Sequence, residues 1–297
     1  MTDDTILKIA RIQGGLGNQM FIYAFAQNYR SILYDKTMYD DVNCSRAFDL
    51  GKYNIDRNFA SEEQINRCKH DIRFKNKLFS KRFRKLLHLN KYILDFSNIK
   101  TEKVCNLYQE NLLNIRGNAY FDWFFQTYKY FDKYREKLLH DFALLEPLNE
   151  ENLTMLHKIQ EANSVAVHIR RGDYTTPKCQ LELLDLDYYN KAFEIIKNKV
   201  SEPHFFIFSN DVDWVSENIK TGASQTIVDI NDESHGYFDL ELMRNCKHDI
   251  IANSSFSWWG AWLNDNPYKI VIAPQKWFKP KREESSEDMI PESWIKI

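Results

Sequence analysis

The sequence has few of the features that mark secreted, membrane-spanning or nucleic-acid-binding proteins. Its five cysteines are widely spaced and form no Cys-x-x-Cys pair, which argues against a disulfide framework or a zinc site and favours a reducing compartment. No apolar run approaches the ~20 residues needed to span a bilayer, and the N-terminus lacks the basic start and apolar core of a signal peptide. The net charge of −2 predicts no nucleic-acid partner. These absences predict a soluble, cytoplasmic protein.

Hydrophobic periodicity predicts that the chain opens with an α/β unit. A strand over 6–12 leads into a glycine loop over 14–19 and then into a helix over 20–33. A second strand is predicted over 38–42, and an aromatic helix over 120–134. The polar, acidic stretch 147–160 follows, so we predict one domain at 1–155 and another at 156–297.

From residue 165 onward, short apolar runs alternate with amphipathic segments. This alternation predicts a parallel sheet with helices on both faces. Together with the first unit it predicts an α/β protein of two domains, and the cleft between two such domains is a default ligand site. Strands are predicted over 165–169, 204–208, 226–229, 249–252 and 269–273, and helices over 187–200 (with Asp187 as N-cap), 212–220, 237–246 and 255–264.

The most informative motif follows the strand at 165–169. Arg170 and Arg171 come directly after this strand, and Gly172 and Asp173 come next. Two guanidinium groups at a strand end are costly to hold together without an anion, and arginine suits phosphate oxygens. Ligands of open α/β sheets bind outside the carboxyl ends of the strands. Two interpretations are open: a phosphate or diphosphate site, or a surface Arg–Asp ion-pair network that closes a turn.

The glycine loop has the composition of a close backbone approach to a ligand. Gly14, Gly15 and Gly17 allow a sharp turn. The loop is not a dinucleotide fingerprint, because Met20 stands where the third glycine belongs, and no Gly-Lys-Ser/Thr follows as in a P-loop. A plain strand-to-helix turn is the alternative. The paired amides of Asn18 and Gln19 favour a function.

A third candidate lies where the predicted strand at 249–252 gives way to a helix. Backbone N–H groups at a helix N-terminus, with the hydroxyls of Ser254 and Ser255 beside them, form a ready anion site. The alternative is an ordinary serine N-cap followed by a core helix. Three tryptophans within 258–262 exceed what one buried face needs, so we expect a close-packed site here.

Two Asp-x-Asp triplets admit a metal-dependent alternative. Asp185 with Asp187 and Asp211 with Asp213 have the spacing that holds a divalent metal in one class of nucleotide-sugar transferases. Both triplets also fall at predicted helix starts, where carboxylates are common for dipole reasons alone. We therefore predict no metal site.

A basic segment over 67–91 admits a membrane contact. It holds ten lysines and arginines against one acid, with interleaved apolar residues. Such a helix can lie on an anionic membrane face. A plain solvated helix is the alternative.

Three motifs together resemble the α1,2-fucosyltransferases of glycosyltransferase family 11. They are Gly14-Gly-Leu-Gly-Asn-Gln19, His168-Ile-Arg-Arg-Gly-Asp-Tyr174 and Ser254-Ser-Phe-Ser-Trp-Trp-Gly-Ala-Trp-Leu263. The resemblance runs from about Ala10 to Pro274. It implies a GT-B type fold, in which two Rossmann-like domains face each other across a cleft, with 1–155 as the acceptor-side domain and 156–297 as the GDP-fucose-binding domain. It further implies a GDP-β-L-fucose donor and neither a metal nor another cofactor.

The resemblance also implies roles for individual residues. Arg170 would contact the β-phosphate and the departing glycosidic oxygen, and Asn18 would face the diphosphate and fucose from the other domain. His168 and Asp239 would bond guanine and its surroundings. The remaining implied substrate-binding residues are Arg171, Ser254, Ser255, Phe256, Gly15, Gly17 and Gln19.

The acceptor base does not carry over. In the α1,6 relatives a glutamate ten residues beyond the motif histidine resembles a base, and Lys178 stands at that position here. Asp173 is the nearest carboxylate and our candidate, although it can equally pair with Arg171. An oxocarbenium-like path that needs no strong base is also open.

The expected function is therefore metal-free transfer of L-fucose to the 2-hydroxyl of a terminal galactose, with inversion at the anomeric carbon. The expected acceptor is a surface glycan precursor, such as a lipid-linked O-antigen oligosaccharide, reached at the inner membrane face through the basic segment. Two alternatives remain: a metal-dependent transferase built on Asp211 and Asp213, and a non-catalytic protein that binds GDP-sugar.

Overall fold

The computed structural model describes residues 6–78, 106–115, 117–176, 179, 181–279 and 286–297, without the side chains of 71–78 and Asp173. The chain divides into two compact units. The first comprises Met1–Ala143 with Glu287–Met289, and the second Leu144–Ser286 with Ile290–Ile297. The α/β class and the two units with parallel sheets, as expected of the GT-B type, are confirmed.

The first unit is built on a small parallel sheet in the strand order β2-β1-β3. Helix α1 connects the first two strands and is buried on nearly every side, which suits its apolar sequence. Its elements are β1 (Lys8–Arg11), α1 (Leu16–Ala26), β2 (Ile32–Asp35), α2 (Glu62–Leu78), β3 (Ala119–Phe121) and α3 (Arg135–Asp141).

The second unit is built on a six-stranded parallel sheet in the order β6-β5-β4-β7-β8-β9. Its strands are β4 (Asn163–Ile169), β5 (Pro203–Ser209), β6 (Ser224–Val228), β7 (His248–Ile250), β8 (Val271–Ala273) and β9 (Ile295–Lys296). Its helices are α4 (Glu150–Glu161), α5 (Leu186–Lys199), α6 (Val212–Asn218), α7 (Gly236–Arg244) and α8 (Ser255–Leu263).

Alternation along the central strands divides the core of the second unit into two layers. Val165 and Val167 of β4 pack into one cluster together with side chains of α5, whereas Ala166 packs into another together with side chains of α4 and α7. Successive side chains of a strand point to opposite faces of a sheet. The predicted placement of helices on both faces is therefore confirmed, because both layers are filled.

The predictions for the first unit need three corrections. Helix α1 begins at Leu16 and ends at Ala26, where the side-chain amide of Asn28 bonds the carbonyl of Phe25 at 2.8 Å. The second strand is Ile32–Asp35, not 38–42, because Asp35 accepts bonds from the amide and hydroxyl of Thr37 and so starts a 3₁₀ turn over Thr37–Asp40.

The predicted aromatic helix over 120–134 is also wrong. The segment contains β3 and two short 3₁₀ turns, Tyr128–Tyr130 and Asp132–Tyr134. Phe125 has a φ of +52°, which no right-handed helix accommodates. Its ring stacks on Phe25 with centroids 3.8 Å apart. Packing against α1, rather than helical periodicity, therefore sets the spacing of these aromatic residues.

Differences in the second unit are smaller. Asp185, not Asp187, caps α5 by accepting the amide hydrogen of Tyr188 at 3.0 Å. Strand β9 near the C-terminus was not predicted. The division between the units at Ala143/Leu144 lies before α4, so the predicted domain limit at 155/156 falls inside a helix.

No helix in the described ranges is long and apolar enough to cross a membrane. Most of the basic segment 67–91 lies outside the described residues, so its predicted membrane contact stays a prediction. Cys44, Cys68, Cys179 and Cys246 are free thiols.

Candidate functional site

The second unit brings two of the three motifs together at the carboxyl edge of its sheet. Strands β4 and β7 are neighbours, with Val167 opposite Ile250. The motif after β4 therefore lies beside the loop that starts α8. The hydroxyl of Tyr174, in the 3₁₀ turn Gly172–Thr175, donates to the carbonyl of Asn253 at 3.1 Å. This bond ties the arginine motif to the start of α8, at the edge where open α/β sheets bind ligands.

His168 is a buried polar residue one position before the end of β4. Its side chain is only 5% exposed, and its ring centroid lies 5.7 Å from that of Phe256. Burial, with the nearby charge of Arg170, lowers the pKa of His168 to about 3. The ring is therefore neutral at physiological pH. Its Nδ1 has no hydrogen-bond partner among the described residues, so it can bond a ligand group.

Arg170 is half-buried immediately after β4. Its guanidinium carbon lies 5.9 Å from the ring centroid of Tyr174. Because Tyr174 also bonds Asn253, one aromatic residue touches both the arginine motif and the loop before α8. This geometry allows a permanent cation beside a helix N-terminus, a pair of features suited to phosphate oxygens.

Arg171 is held by the neighbouring loop between β5 and α6. Its Nε donates to Oδ2 of Asp211 at 3.3 Å, and its guanidinium carbon lies 3.8 Å from the ring centroid of Trp214. Its backbone amide donates to Oδ1 of Asn210 at 3.0 Å. These contacts make Arg171 a brace for the strand end. A direct contact between Arg171 and substrate stays a prediction.

The partners of Arg171 bear on the metal alternative. Asp211 not only pairs with Arg171 but also caps α6 by accepting the amide hydrogen of Trp214 at 3.3 Å. Asp213 lies in the first turn of the same helix. Both oxygens of Asp211 thus have partners within the protein, as the helix-start interpretation of the triplet expects.

Sequence reasoning missed Asn210, Asp211 and Trp214 as supports of the arginine motif. A signal for them exists, because Ser209-Asn210-Asp211 is a polar run at the end of β5, the strand beside β4. Asn210 also lies close to Gly172, since a Cβ added to Gly172 would lie 2.2 Å from Nδ2 of Asn210. The close approach explains why a glycine follows the two arginines.

The start of α8 is a serine N-cap followed by a core helix, and anion binding there stays a prediction. Ser254 is the N-cap and accepts the amide hydrogen of Phe256 at 3.3 Å. Half-buried Ser255 opens the first turn, where backbone N–H groups lack partners within the helix. The three tryptophans of α8 do not line an accessible surface. They are buried in the core, with Trp258 and Trp259 fully inaccessible and Trp262 4% exposed.

Asp239 lies in α7 and is held by amides. Its Oδ1 accepts from Nδ2 of Asn231 at 2.8 Å, and Asn231 forms a reciprocal amide pair with the fully buried Asn152. Burial raises the pKa of Asp239 to about 7, and Asp229 contributes repulsion. Near neutral pH this carboxyl can therefore accept or donate a hydrogen bond.

The raised pKa of Asp239 predicts a pH-dependent stability. The folded protein binds the Asp239 proton more tightly than the unfolded chain, so the free energy of unfolding should fall as the pH rises from 3.8 to about 7. Asp239→Asn removes this component. Urea unfolding of both proteins at pH 5 and pH 8 should show the variant gaining stability relative to the wild type at pH 8. Asp249, whose pKa is also raised to about 7, is present in both and cancels. An equal difference at both pH values would contradict the prediction.

The glycine loop in the first unit is shorter than the predicted loop over 14–19, because helix α1 already begins at Leu16. Gly14 has a φ of +77°, and Gly15 is the extended N-cap of α1, so Gly17, Asn18 and Gln19 lie in the first turn of the helix. Gln19 is fully buried and bonds the carbonyls of Gly14 and Ala47 and the amide of Leu50. Gln19 therefore holds the loop in place, and its predicted contact with substrate stays a prediction.

Asn18 is half-buried, and its Oδ1 accepts from Nε2 of Gln126 at 2.7 Å. Its predicted contact with the diphosphate stays a prediction. The side chain of Asp173 and the whole of Lys178 lie outside the described residues, so the candidate base stays a prediction too.

Comparison with known proteins gives matches along nearly the whole chain. The model of the family described as Glycosyl transferase family 11 matches residues 8–297. The O-antigen biosynthesis glycosyltransferase WbnK of Escherichia coli is 33% identical over 310 residues, covering 96% of this chain and 99% of that protein. An alpha-1,2-colitosyltransferase of Escherichia coli is 34% identical over 301 residues, covering 97% and 98%. Galactoside alpha-(1,2)-fucosyltransferase 2 of Pongo pygmaeus is 28% identical over 188 residues, covering 56% and 54%.

Proposed function

The chain belongs to glycosyl transferase family 11, and from that premise we propose that it transfers L-fucose from GDP-β-L-fucose to the 2-hydroxyl of a terminal galactose. The oxygen of the acceptor hydroxyl bonds the anomeric carbon of fucose with inversion. The bond from that carbon to the β-phosphate oxygen breaks, and its electron pair leaves with GDP. The hydroxyl proton passes to a base, for which Asp173 is our candidate.

One observation carries the proposal: Arg170 and the start of α8 lie side by side at the carboxyl edge of β4 and β7, joined through Tyr174 and Asn253. Negative charge develops on the diphosphate as GDP departs. Fixed cations and N–H dipoles aimed at that charge stabilise the transition state without reorganising. Arg170 supplies the cation, and the first turn of α8 supplies the dipole of the Ser255 backbone N–H, since that of Phe256 bonds the Ser254 hydroxyl.

The guanine end of the donor would lie against His168 and Asp239. A neutral His168 with an unpartnered Nδ1 offers one bond. The Asp239 carboxyl, aligned by Asn231, offers a second. This part of the proposal gives the buried Nδ1 of His168 a partner, since buried polar groups are normally bonded.

The proposal includes catalysis without a metal. We expect the rate of acceptor-dependent GDP release from GDP-fucose, with lactose as acceptor, to be unchanged in excess EDTA. The physical reason is that Arg170 and the α8 dipoles meet the leaving-group charge, while Asp211 is engaged with Arg171. Loss of activity in EDTA with recovery on adding Mg²⁺ or Mn²⁺ would favour the metal-dependent alternative. GDP binding without any release of GDP from the donor would favour the non-catalytic alternative.

A second donor is favoured by one comparison, the match to an alpha-1,2-colitosyltransferase over nearly the full chain. Colitose is L-fucose without its 3-hydroxyl, so the same diphosphate site serves either donor. The values of kcat/KM for GDP-fucose and GDP-colitose, measured with one acceptor, decide between them. A site that bonds the 3-hydroxyl should reject the deoxy sugar strongly. Higher kcat/KM for GDP-colitose would overturn the fucose assignment.

The proposed acceptor is a galactose-terminated precursor of a surface glycan. Support comes from the similarity to an O-antigen biosynthesis glycosyltransferase. A lipid-linked acceptor would bring the protein to the inner membrane face, where the basic segment 67–91 could contact anionic lipid. Salt-sensitive co-sedimentation with anionic vesicles tests that contact.

A further inference from the structure

The first unit carries a second polar cluster that the donor site does not use. It lies at the carboxyl edge of the sheet, where Ala10 of β1 is opposite Phe121 of β3. Just beyond these strands, Asp122 accepts bonds from Nη1 of Arg11 at 3.1 Å and from Nε2 of Gln13 at 3.1 Å. The side chains of Arg11 and Asp122 are 35% and 23% exposed. Bonded polar groups therefore line an accessible surface at the edge where α/β sheets hold ligands.

Two aromatic side chains continue this surface. Trp123 and Phe124 follow Asp122 directly, are both half-buried, and have ring centroids 5.7 Å apart. Beyond them, Gln126 bonds Asn18 at the start of α1. The segment 122–126 thus presents a carboxylate, two aromatic rings and an amide in immediate succession, next to the glycine loop.

The backbone of the segment is held in a costly conformation. Phe125, with its φ of +52°, is 2% exposed and stacked on Phe25. Positive φ is unfavourable for a bulky residue and persists only where the surroundings enforce it, often at ligand sites. The buried hydroxyl of Thr127 donates to the carbonyl of Asp288 at 2.7 Å and fixes the far end. Buried anchors therefore hold Trp123 and Phe124 in position.

We propose that the segment 122–126, with Gln13, forms the binding subsite for the acceptor pyranose. This inference rests on the proposed function, since a transferase must hold a second sugar. Carboxylate and amide groups match the donors and acceptors of neighbouring sugar hydroxyls. Aromatic rings match the apolar C–H face of a pyranose. The combination of an aromatic surface with a few oriented polar groups is typical of small-molecule sites.

Steady-state kinetics of the full chain with GDP-fucose and lactose test the subsite. We expect Trp123→Ala, Asp122→Asn and Gln126→Ala each to raise the KM for lactose about tenfold or more, because each removes an aromatic contact or a polar bond to the sugar. The KM for GDP-fucose should stay near the wild-type value in Trp123→Ala and Asp122→Asn, neither of which touches Asn18. Tyr268→Ala, which removes an 85% exposed aromatic of the second unit, is the matched control. Trp123→Phe keeps a ring and should recover part of the lactose affinity.

A purely structural role predicts a different pattern. If Asp122 only holds Arg11, then Asp122→Asn lowers the melting temperature and leaves the KM for lactose unchanged, and the subsite is overturned. Absence of transfer to lactose in the wild type would count against the proposed function instead. In that case saturation-transfer NMR of lactose without donor decides the subsite. A lactose signal lost in Trp123→Ala and Asp122→Asn supports it, and a signal that is absent from the wild type or unaltered in both variants overturns it.

Discussion

Replacement of Arg170 by alanine is expected to lower the kcat for fucose transfer by about a hundred- to a thousand-fold. Arg170 follows β4 directly and stands beside the start of α8. At this position its guanidinium meets the charge that develops on the departing diphosphate. A fixed charge of this kind acts mainly in the transition state, so kcat should fall far more than the affinity for GDP-fucose. Release of GDP in the presence of lactose and excess EDTA measures the effect.

Three variants make the Arg170 result specific. Arg30→Ala removes an exposed arginine of the first unit and should leave kcat unchanged. Arg170→Lys keeps the charge but loses the planar fork, so it should fall between alanine and wild type. Arg171→Ala removes the contacts with Asp211 and Trp214, and should lower the melting temperature together with a smaller loss of kcat. If the kcat of Arg170→Ala stays within about threefold of the wild-type value, Arg170 does not stabilise the departing diphosphate, since the expected loss is far larger.

The two arginines show what the sequence can and cannot establish about the site. Their place after a buried strand is visible in the sequence, because a run of small and β-branched residues ends at Ile169. Their separate roles are not visible. The partner that distinguishes Arg171 is Asp211, which lies on another loop and reaches it only through the pairing of β4 with β5. Contacts between loops of neighbouring strands depend on sheet order, and sheet order is a tertiary property.

Prediction of the fold succeeded where local pattern and burial agree. In the second unit β4, β5, β6 and β7 are each followed by a helix, and the order of elements from β4 to β8 is confirmed. In the first unit the aromatic residues misled the prediction. Phe121 and Phe125 have the i, i+4 spacing of a helix, yet Phe121 lies in β3, Phe125 lies in a loop, and both pack on Phe25. Large rings fill a core from many backbone conformations, so their spacing alone does not determine the conformation.

Gln19 illustrates the same limit at the glycine loop. A paired amide after glycines is typical of a ligand contact, and Asn18 keeps that interpretation. The neighbouring Gln19 instead turns inward, because the helix starts at Leu16 and places successive residues on different faces. A shift of four residues in the start of a helix thus decides which of two adjacent amides is buried and which is partly exposed.

Replacement of Trp258 by alanine should destabilise the protein by ~3–5 kcal/mol, the range measured for removal of large buried side chains. Trp258 is fully buried in α8. Its ring centroid lies 5.1 Å from that of Trp259, 6.2 Å from that of Trp262 and 5.5 Å from that of Trp294. Truncation leaves a cavity among rigid rings that cannot close around it. The midpoint of urea unfolding, followed by circular dichroism, measures the loss, which is a large fraction of a typical domain stability.

The same variant separates a core role from a ligand role. If the tryptophans only support α8, the folded Trp258→Ala protein at low temperature should still bind GDP with an affinity near the wild-type value, because the helix start at Ser255 is retained. Tyr268→Ala, at an exposed position, should change stability by less than about 0.5 kcal/mol. Trp258→Phe should recover part of the stability by refilling the cavity. A Trp258→Ala protein that has unchanged stability but no longer binds GDP would show that Trp258 belongs to the donor site. A destabilised Trp258→Ala protein that still binds GDP would support the other role, in which the aromatic side chains hold α8 against the core without contacting the donor.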